Sequence, residues 1–366
     1  ASQGQGMAQV EGMPIFIHGA IPGQQVAVVI TKVKDRHAEA RMQKVIKQAP
    51  HEVKPRCKHF SDCGGCLWQN LPYDKQIVAK EDVVCETLEH VTPVDEKARK
   101  MLAGRVVSII PSPQVYYYRN KLELSFGFES MRFEQREKKR IYFDENPSIG
   151  FHKPGQWSTI LPITECHLYD EQIPAFLTEV RRFMEETRLP VYNPKTHKGV
   201  LRSLLLRRGI HTGEHMVCFI VQARKRQLEP LFQHFMRFGQ RPEVTSLLVV
   251  EHFGMNDKPD HPHIHVLKEK STIRERLFDL EFELSPFSFF QTNTLAAEKL
   301  YQVVANVADL SGRETVLDCY CGIGSIGQYL SRFAEKVVGV ESVASAVEDA
   351  LQSAGRNKIG NISFYR

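Results

Sequence analysis

The chain has 366 residues, 48 Lys+Arg against 43 Asp+Glu, and a formal net charge of +5. That length suffices for two or three domains with sizeable cores. Apolar (42%) and charged (25%) fractions are those of an ordinary globular chain, and the charge permits a polyanionic partner without demanding one.

No apolar run approaches the ~18 residues needed to span a bilayer. Ala1 to Gly12 lacks the apolar centre of a secretory signal. No membrane is expected, and a reducing cytoplasm is. Three of the eight cysteines fall within ten residues, which in such a chain favours metal ligation over a disulfide framework.

Residues 1–50 alternate like the strands of a small barrel: Pro14 to Ile17, Val26 to Ile30 and Ala38 to Met42. Ile21-Pro22-Gly23 reads as the turn between the first two. Lys32, Lys34, Arg36 and Arg41 decorate this module. A basic β-barrel suggests a nucleic-acid surface, although a solvated barrel edge would carry the same charges.

Next comes Cys57-Lys-His-Phe-Ser-Asp-Cys63-Gly-Gly-Cys66. The two glycines let the loop fold around a centre and turn amides toward sulfur. Three thiolates this close repel unless a cation holds them. The spacing fits zinc and an iron–sulfur cluster equally. For a fourth ligand, Cys85 reads as core on a helix over Tyr73 to His90, and Cys218 as core on a strand over Met216 to Val221. His59 is nearby, but Cys166, in the polar turn Thr164-Glu165-Cys166-His167, is the best candidate.

Residues 105–290 look like a mixed α+β domain. Tyr116-Tyr-Tyr118-Arg119-Asn-Lys121 sets aromatics before cations and a strand from Leu122 to Phe128. Rings of this kind stack on unpaired bases while cations hold phosphate, though Tyr is also a common strand residue. Leu201 to Arg208 reads as a strand carrying Arg207 and Arg208 before the turn Gly209 to Glu214. Met131 to Arg140, with Arg132, Arg136, Lys138, Lys139 and Arg140, reads as a solvated loop or hairpin. His252, His261, His263 and His265 would line a strand face, but no carboxylate accompanies them in the pattern, so no metal is assigned there. Ser285 to Asn293 places Gln291 and Asn293 beside bulky aromatics, as helix caps or ligand contacts for a helix from about Leu295 to Val307.

Val316 to Ser325 reads as a buried strand, a glycine turn and a helix start, with Val316 and Leu317 fit for an inner strand. Asp318 and Tyr320 stand where the strand opens, and Gly322 and Gly324 admit a ligand to the backbone. A second strand, Lys336 to Val340, ends in Glu341, where a carboxylate would grip a ribose hydroxyl pair. The expectation is a nucleoside-cofactor pocket in an α/β sheet. Gly322-Ile-Gly324-Ser-Ile-Gly327 also fits a dinucleotide fingerprint, but Asp318 and the bulky Tyr320 crowd the approach a pyrophosphate needs.

Taken together, these segments resemble the RNA (uracil-5-)-methyltransferase family, and more closely its iron–sulfur branch acting on 23S ribosomal RNA. The carriers are Gly19 to Gly23 of a TRAM-type barrel, the cysteine set, Tyr118 to Lys121, the Arg-rich strand with Thr212-Gly-Glu, Phe289 to Asn293, and Asp318 to Gly324. The resemblance implies an α/β chain of three parts: an OB-like, TRAM-type β-barrel (1–50), a central α+β domain with RNA-binding residues and the iron–sulfur loop (51–284), and the start of a Rossmann-like methyltransferase domain (285–366). It implies that Cys57, Cys63, Cys66 and Cys166 hold a 4Fe-4S cluster, and that Gln291, Tyr320 and Glu341 contact S-adenosylmethionine beside Asp318, Gly322 and Gly324. Ser325 stands where many relatives of the ribosomal branch carry Asn. Tyr118, Arg119, Lys121, Arg207 and Arg208 are the RNA-binding candidates, with ribosomal RNA as the partner of a monomer.

The family's chemistry adds a cysteine thiolate to uracil C6, so that C5 can take the methyl group before a base removes its proton. The base must be flipped out or already unpaired. No catalytic residue is assigned within these 366 residues. The family's nucleophilic cysteine and general base are expected beyond Arg366, so that this stretch alone transfers no methyl group. Cys319 and Cys321 read as small packing residues of the turn. The competing functions are transfer-RNA uracil-5 methylation, an iron–sulfur NAD oxidoreductase, and a non-catalytic RNA-binding protein.

Overall fold

The computed structural model describes residues 4–90, 95–98, 108–136, 139–256 and 262–366. The chain divides into two compact units, Ala1–Val115 and Tyr116–Arg366, where the sequence suggests three segments.

The first unit opens with four strands, β1 (Gly6–Val10), β2 (Met13–His18), β3 (Gln25–Lys34) and β4 (His37–Lys47). They form one sheet in the order β1-β2-β4-β3, with β2 and β4 parallel. The three strands legible in the sequence lie within β2, β3 and β4. Ile17, Ala20 and Ala40 are buried, with Ile15, Val26, Val28 and Met42 packed on them. Lys32, Lys34, Arg36 and Arg41 are exposed, and Lys34 pairs with Glu39 at 2.9 Å. The cysteine loop follows, then α1 (Tyr73–His90) over the expected span.

The second unit is built on a seven-stranded sheet in the order β11-β10-β9-β8-β5-β6-β7. Its strands are β5 (Lys121–Arg136), β6 (Lys139–Lys153), β7 (Gln156–Pro162), β8 (Leu201–Arg208), β9 (His215–Val221), β10 (Val244–Glu251) and β11 (His263–Glu269). The expected basic segment is the hairpin joining β5 to β6, with Arg136 opposite Lys139; the side chains of Arg132, Arg136, Lys138, Lys139 and Arg140 lie outside the described residues.

Strand side chains alternate between faces, and both faces of the central strands are apolar. Leu204, Leu206, Val217 and Phe219 pack on one side with α2 (Ile173–Thr187), through Phe176, Val180 and Phe183. The short α3 (Lys225–Leu228) and α4 (Phe232–Gly239) complete that layer with Leu228, Phe235 and Phe238. On the other side Leu205, Cys218, Ile220 and Leu248 meet the hairpin of β12 (Ile273–Leu277) and β13 (Leu280–Leu284). Tyr301 of α5 (Thr294–Ala308) and Tyr329 of α6 (Ser325–Leu330) join that second core. Cys218 is core, as expected, and burial pushes its thiol far above the ordinary range.

The last element is a parallel three-stranded sheet, β14 (Thr315–Cys319), β15 (Lys336–Val340) and β16 (Ile362–Tyr365), with α7 (Ala344–Arg356) between the last two. β14 is its edge. Leu317, expected inside, is 62% exposed, because the other face of β14 carries Val316 and Asp318. No described helix is long and apolar enough to cross a membrane.

One buried carboxylate fastens these parts together. Glu275 on β12 is 0% exposed and accepts from the amides of Ile210 (2.7 Å), His211 (3.1 Å) and Arg276 (2.9 Å), and from Thr294 Oγ1 (2.9 Å). Thr294 Oγ1 also receives Asn120 Nδ2 at 3.0 Å. A buried donor left without an acceptor costs ~1–3 kcal/mol. Glu275→Leu, which strands four donors, is expected to lose about 3 kcal/mol or more in denaturant unfolding, and Glu275→Gln distinctly less.

Candidate functional site

β14 and β15 run parallel, with Asp318 opposite Gly339 and Cys319 opposite Val340, so the turn after β14 and the tip of β15 open at the same end. Tyr320 follows β14 with φ 60° and is 92% exposed. Gly324 caps α6 with φ 72°; a Cβ there would lie 2.5 Å from the Phe364 ring. A Cβ on Gly322 would meet nothing within 4 Å, so the space over that residue is open. Asp318 Oδ2 accepts the Gly327 amide at 3.0 Å, while burial raises its carboxyl above the usual range.

Glu341 reaches back to this turn. Its Oε2 accepts the Gly322 amide at 3.1 Å, and its Oε1 accepts the Val343 amide at 2.9 Å. The Val343 amide, then those of Gly322 and the Ser342 hydroxyl, hold the Glu341 carboxyl below its usual range against partial burial. Asp318, Tyr320, Gly322, Gly324 and Glu341 are thus gathered at one strand end. Ser325 bonds Tyr301, Oγ to OH at 2.7 Å.

Gln291 is half-buried in the segment before α5, where its carbonyl accepts from Asn120 Nδ2 at 2.7 Å. Asn293 caps α5, accepting the Ala296 amide at 3.0 Å. Asn120 also donates its amide to the Thr292 carbonyl at 2.8 Å. The Tyr-Arg-Asn-Lys segment and the Phe-Phe-Gln-Thr-Asn segment, 171 residues apart in sequence at Asn120 and Gln291, are therefore stitched to each other. Sequence reading missed Asn120, which carries this seam.

The RNA-binding candidates fare differently. Tyr118, Arg119 and Lys121 are half-buried, and Lys121 lies 3.4 Å from Glu123. Arg207 is 1% exposed. Its Nη1 donates to the carbonyls of Ser285 and Ser288, and burial pulls its guanidinium down to about 10. The expectation of an RNA contact there is corrected: Arg207 is a strut inside the fold, with no face toward a polyanion. Arg208 is bound to Asp170 at 2.6 Å and to the carbonyls of Tyr117 and Arg119.

The cysteines also divide. Cys57, Cys63 and Cys66 are half-buried on one loop, closed by the Phe60 amide on the Cys57 carbonyl (3.2 Å) and the Cys63 amide on the His59 carbonyl (3.0 Å). Three thiols on a closed loop are a donor set that suits a soft metal centre. Cys166 is half-buried in the other unit. Cys321 packs on Ala350 and Phe364 as expected. Cys319, by contrast, is exposed and is not a packing residue.

Residues 1–42 match the TRAM domain, and residues 263–366 match the tRNA (uracil-5-)-methyltransferase family. Over its whole length the chain is 34% identical to an uncharacterized RNA methyltransferase of Bacteroides thetaiotaomicron, of which it covers 79%. A second, from Caldanaerobacter subterraneus subsp. tengcongensis, is 33% identical over 99% of this chain and 76% of its own length. The chain belongs to the RNA (uracil-5-)-methyltransferase family. Its fold is similar to that of Pyrococcus abyssi tRNA (uracil-54, C5)-methyltransferase solved with S-adenosyl-L-homocysteine, with a TM-score of 0.72 at 24% identity over all of this chain and 78% of that one.

Two outcomes follow from the turn. A residue with a Cβ pays ~1–2 kcal/mol in the left-handed region, and at Gly324 it also meets the Phe364 ring. Gly324→Ala is expected to lower the thermal midpoint, whereas Gly322→Ala, with open space above it, lowers it less. Glu341 has a lowered native pKa, so its share of stability is complete above the ordinary carboxylate pKa. That share is lost as pH falls through the native value. Glu341→Gln is expected to flatten the acid limb of stability against pH measured by denaturant unfolding.

Proposed function

We propose that the protein methylates C5 of a uridine in ribosomal RNA with S-adenosylmethionine as donor. The observation that carries this reading is the Glu341 carboxylate at the tip of β15, bonded to the Gly322 amide beside open space over that glycine. A ribose diol needs such an acceptor at a parallel-strand tip. In this reading Glu341 takes the ribose hydroxyls, Tyr320, Gly322 and Gly324 line the methionine end, and Asp318 braces the turn through Gly327. Gln291, whose carbonyl accepts from Asn120, is proposed to contact the ligand as well. The bound donor supplies an electrophilic methyl on sulfonium.

The acceptor needs separate activation. A thiolate adds to C6 of uracil, C5 attacks the methyl carbon as the bond from that carbon to sulfonium sulfur breaks, a base removes the C5 proton, and the C6–S bond breaks to return the thiolate. Cys321 is unsuited to that role, since burial, with Asp318 and Glu341 nearby, raises its thiol to about 11. Tyr118, Arg119 and Lys121 are proposed to contact RNA, together with the exposed cations of an OB-like N-terminal module. Cys57, Cys63 and Cys66, with Cys166 added from the sequence pattern, are proposed to hold a 4Fe-4S cluster. With four cysteine ligands that cluster serves structure or RNA docking.

Calorimetric titration tests the donor site. S-adenosylhomocysteine is expected to bind and NAD not to. Losing a hydrogen bond to a charged group costs ~1.5–3 kcal/mol, so Glu341→Ala should weaken binding about 10–100-fold. NAD binding with no response to the homocysteine compound would instead establish the oxidoreductase reading. Deleting the gene is expected to remove a 5-methyluridine from ribosomal RNA, and its loss from transfer RNA instead would overturn that choice of substrate. For the cluster, anaerobically purified protein should carry about four irons per chain, lost in Cys63→Ser; zinc in their place would refute it.

A further inference from the structure

We propose that Glu251, His263 and His265 form a binding site for a divalent transition-metal ion. The histidines alone gave no reason to expect one, because the sequence shows no carboxylate beside them. The strand register supplies it. β10 and β11 are antiparallel, with Glu251 directly opposite His263. Cross-strand partners share a face, and residues two apart on a strand share it as well. All three side chains therefore emerge on one side of the sheet, at the end of β10.

One donor atom from each residue lies within 4.8 Å of the other two. His265 Nε2 stands 2.9 Å from Glu251 Oε1, and their side chains are only 8% and 6% exposed. The His263 and His265 rings meet edge-on, 4.6 Å between centroids, and His263 is exposed. Two donors are thus walled in and the third stands at the mouth. Two imidazoles and a carboxylate are the donor set of three-ligand zinc sites that leave one position open. Donors this close need only side-chain rotation to converge on an ion.

The surroundings hold the ligands in place. The Lys225 amide donates to Glu251 Oε1 at 2.9 Å, and the Phe232 ring packs on His265 at 5.5 Å. Such outer partners orient metal ligands. Among the described residues Arg224 pairs with Glu251, 3.7 Å from Oε2; its side chain is 72% exposed and stacks over Phe253. An exposed arginine can swing away as an ion enters. His252 bonds the Asn256 carbonyl through Nε2 and stands apart from the set, and His261 lies outside the described residues. A simple Glu251–His265 hydrogen bond would account for two of the residues but not for the convergence of His263. Because β11 is the edge of the seven-stranded sheet, the ion would tie that edge strand to β10. This assignment uses no part of the methyl-transfer reading.

The test is titration of the full chain with Co²⁺ alone. Cobalt on thiolates gives intense charge-transfer absorption, whereas cobalt on nitrogen and oxygen gives only weak visible bands, so the cysteine loop and this site are told apart in one spectrum. The wild type is expected to take up one equivalent that adds the weak bands without thiolate absorption, separate from any cobalt taken by the cysteine loop, and its thermal midpoint should rise with that equivalent. Loss of even an outer partner of a ligand lowers metal affinity about 10–100-fold. His263→Ala, an exposed change that leaves the core intact, should therefore weaken this equivalent at least about tenfold and cancel the thermal shift. Equal uptake and an equal shift in His263→Ala would overturn the proposal, as would cobalt uptake accompanied throughout by thiolate absorption.

Discussion

The second unit depends on a carboxylate shut away from solvent. Glu275 is enclosed by three backbone amides and one hydroxyl, which is how a buried charge is tolerated at all. Its partners come from three places: the turn between β8 and β9, its own strand β12, and the start of α5. Through Thr294 the network extends to Asn120, and through Asn120 to the Gln291 carbonyl. Charged hydrogen bonds in a dry setting are strong and directional, so these segments are held in one mutual arrangement. The strand that enters the glycine turn follows α5 directly, and it inherits that placement.

Arg207 works as the opposite pole of the same design. It carries a positive charge into the core and gives it to the carbonyls of Ser285 and Ser288, just before the Gln291 segment. The seam between the large sheet and the segments from β12 to α5 is therefore crossed by buried, hydrogen-bonded polar groups, Glu275, Asn120 and Arg207, set among the apolar residues around Tyr301 and Phe282. Hydrophobic packing there is non-directional, and the polar groups supply the register it lacks.

Much of the fold was legible because period-two alternation and glycine turns are local signals. α1, β8 and β15 fall on the expected residues, and the glycine turn with Glu341 is gathered as expected. What was not legible depends on partners distant in sequence. Arg207 reads as a surface cation beside Arg208 until Ser285 and Ser288 close over it. Cys319 and Cys321 look alike in the pattern, yet one faces solvent and the other packs on Phe364. Asn120 gave no signal at all, since its side-chain partners are 171 and 174 residues away. The histidines of β11 lacked a carboxylate only because register, which brings Glu251 opposite His263, is not written in a single strand.

The bond between Glu341 and the Gly322 amide also bears on how a ligand is received. The carboxylate is already ionised and already aimed, held by the Gly322 amide of the glycine turn and the Val343 amide that follows β15. A hydroxyl-bearing guest meets an acceptor that has no proton to shed and no rotamer to find. Association then involves little rearrangement of the turn, and the free energy of preorganisation is supplied by folding, not by the encounter. Affinity at such a site is set chiefly by how slowly the guest departs.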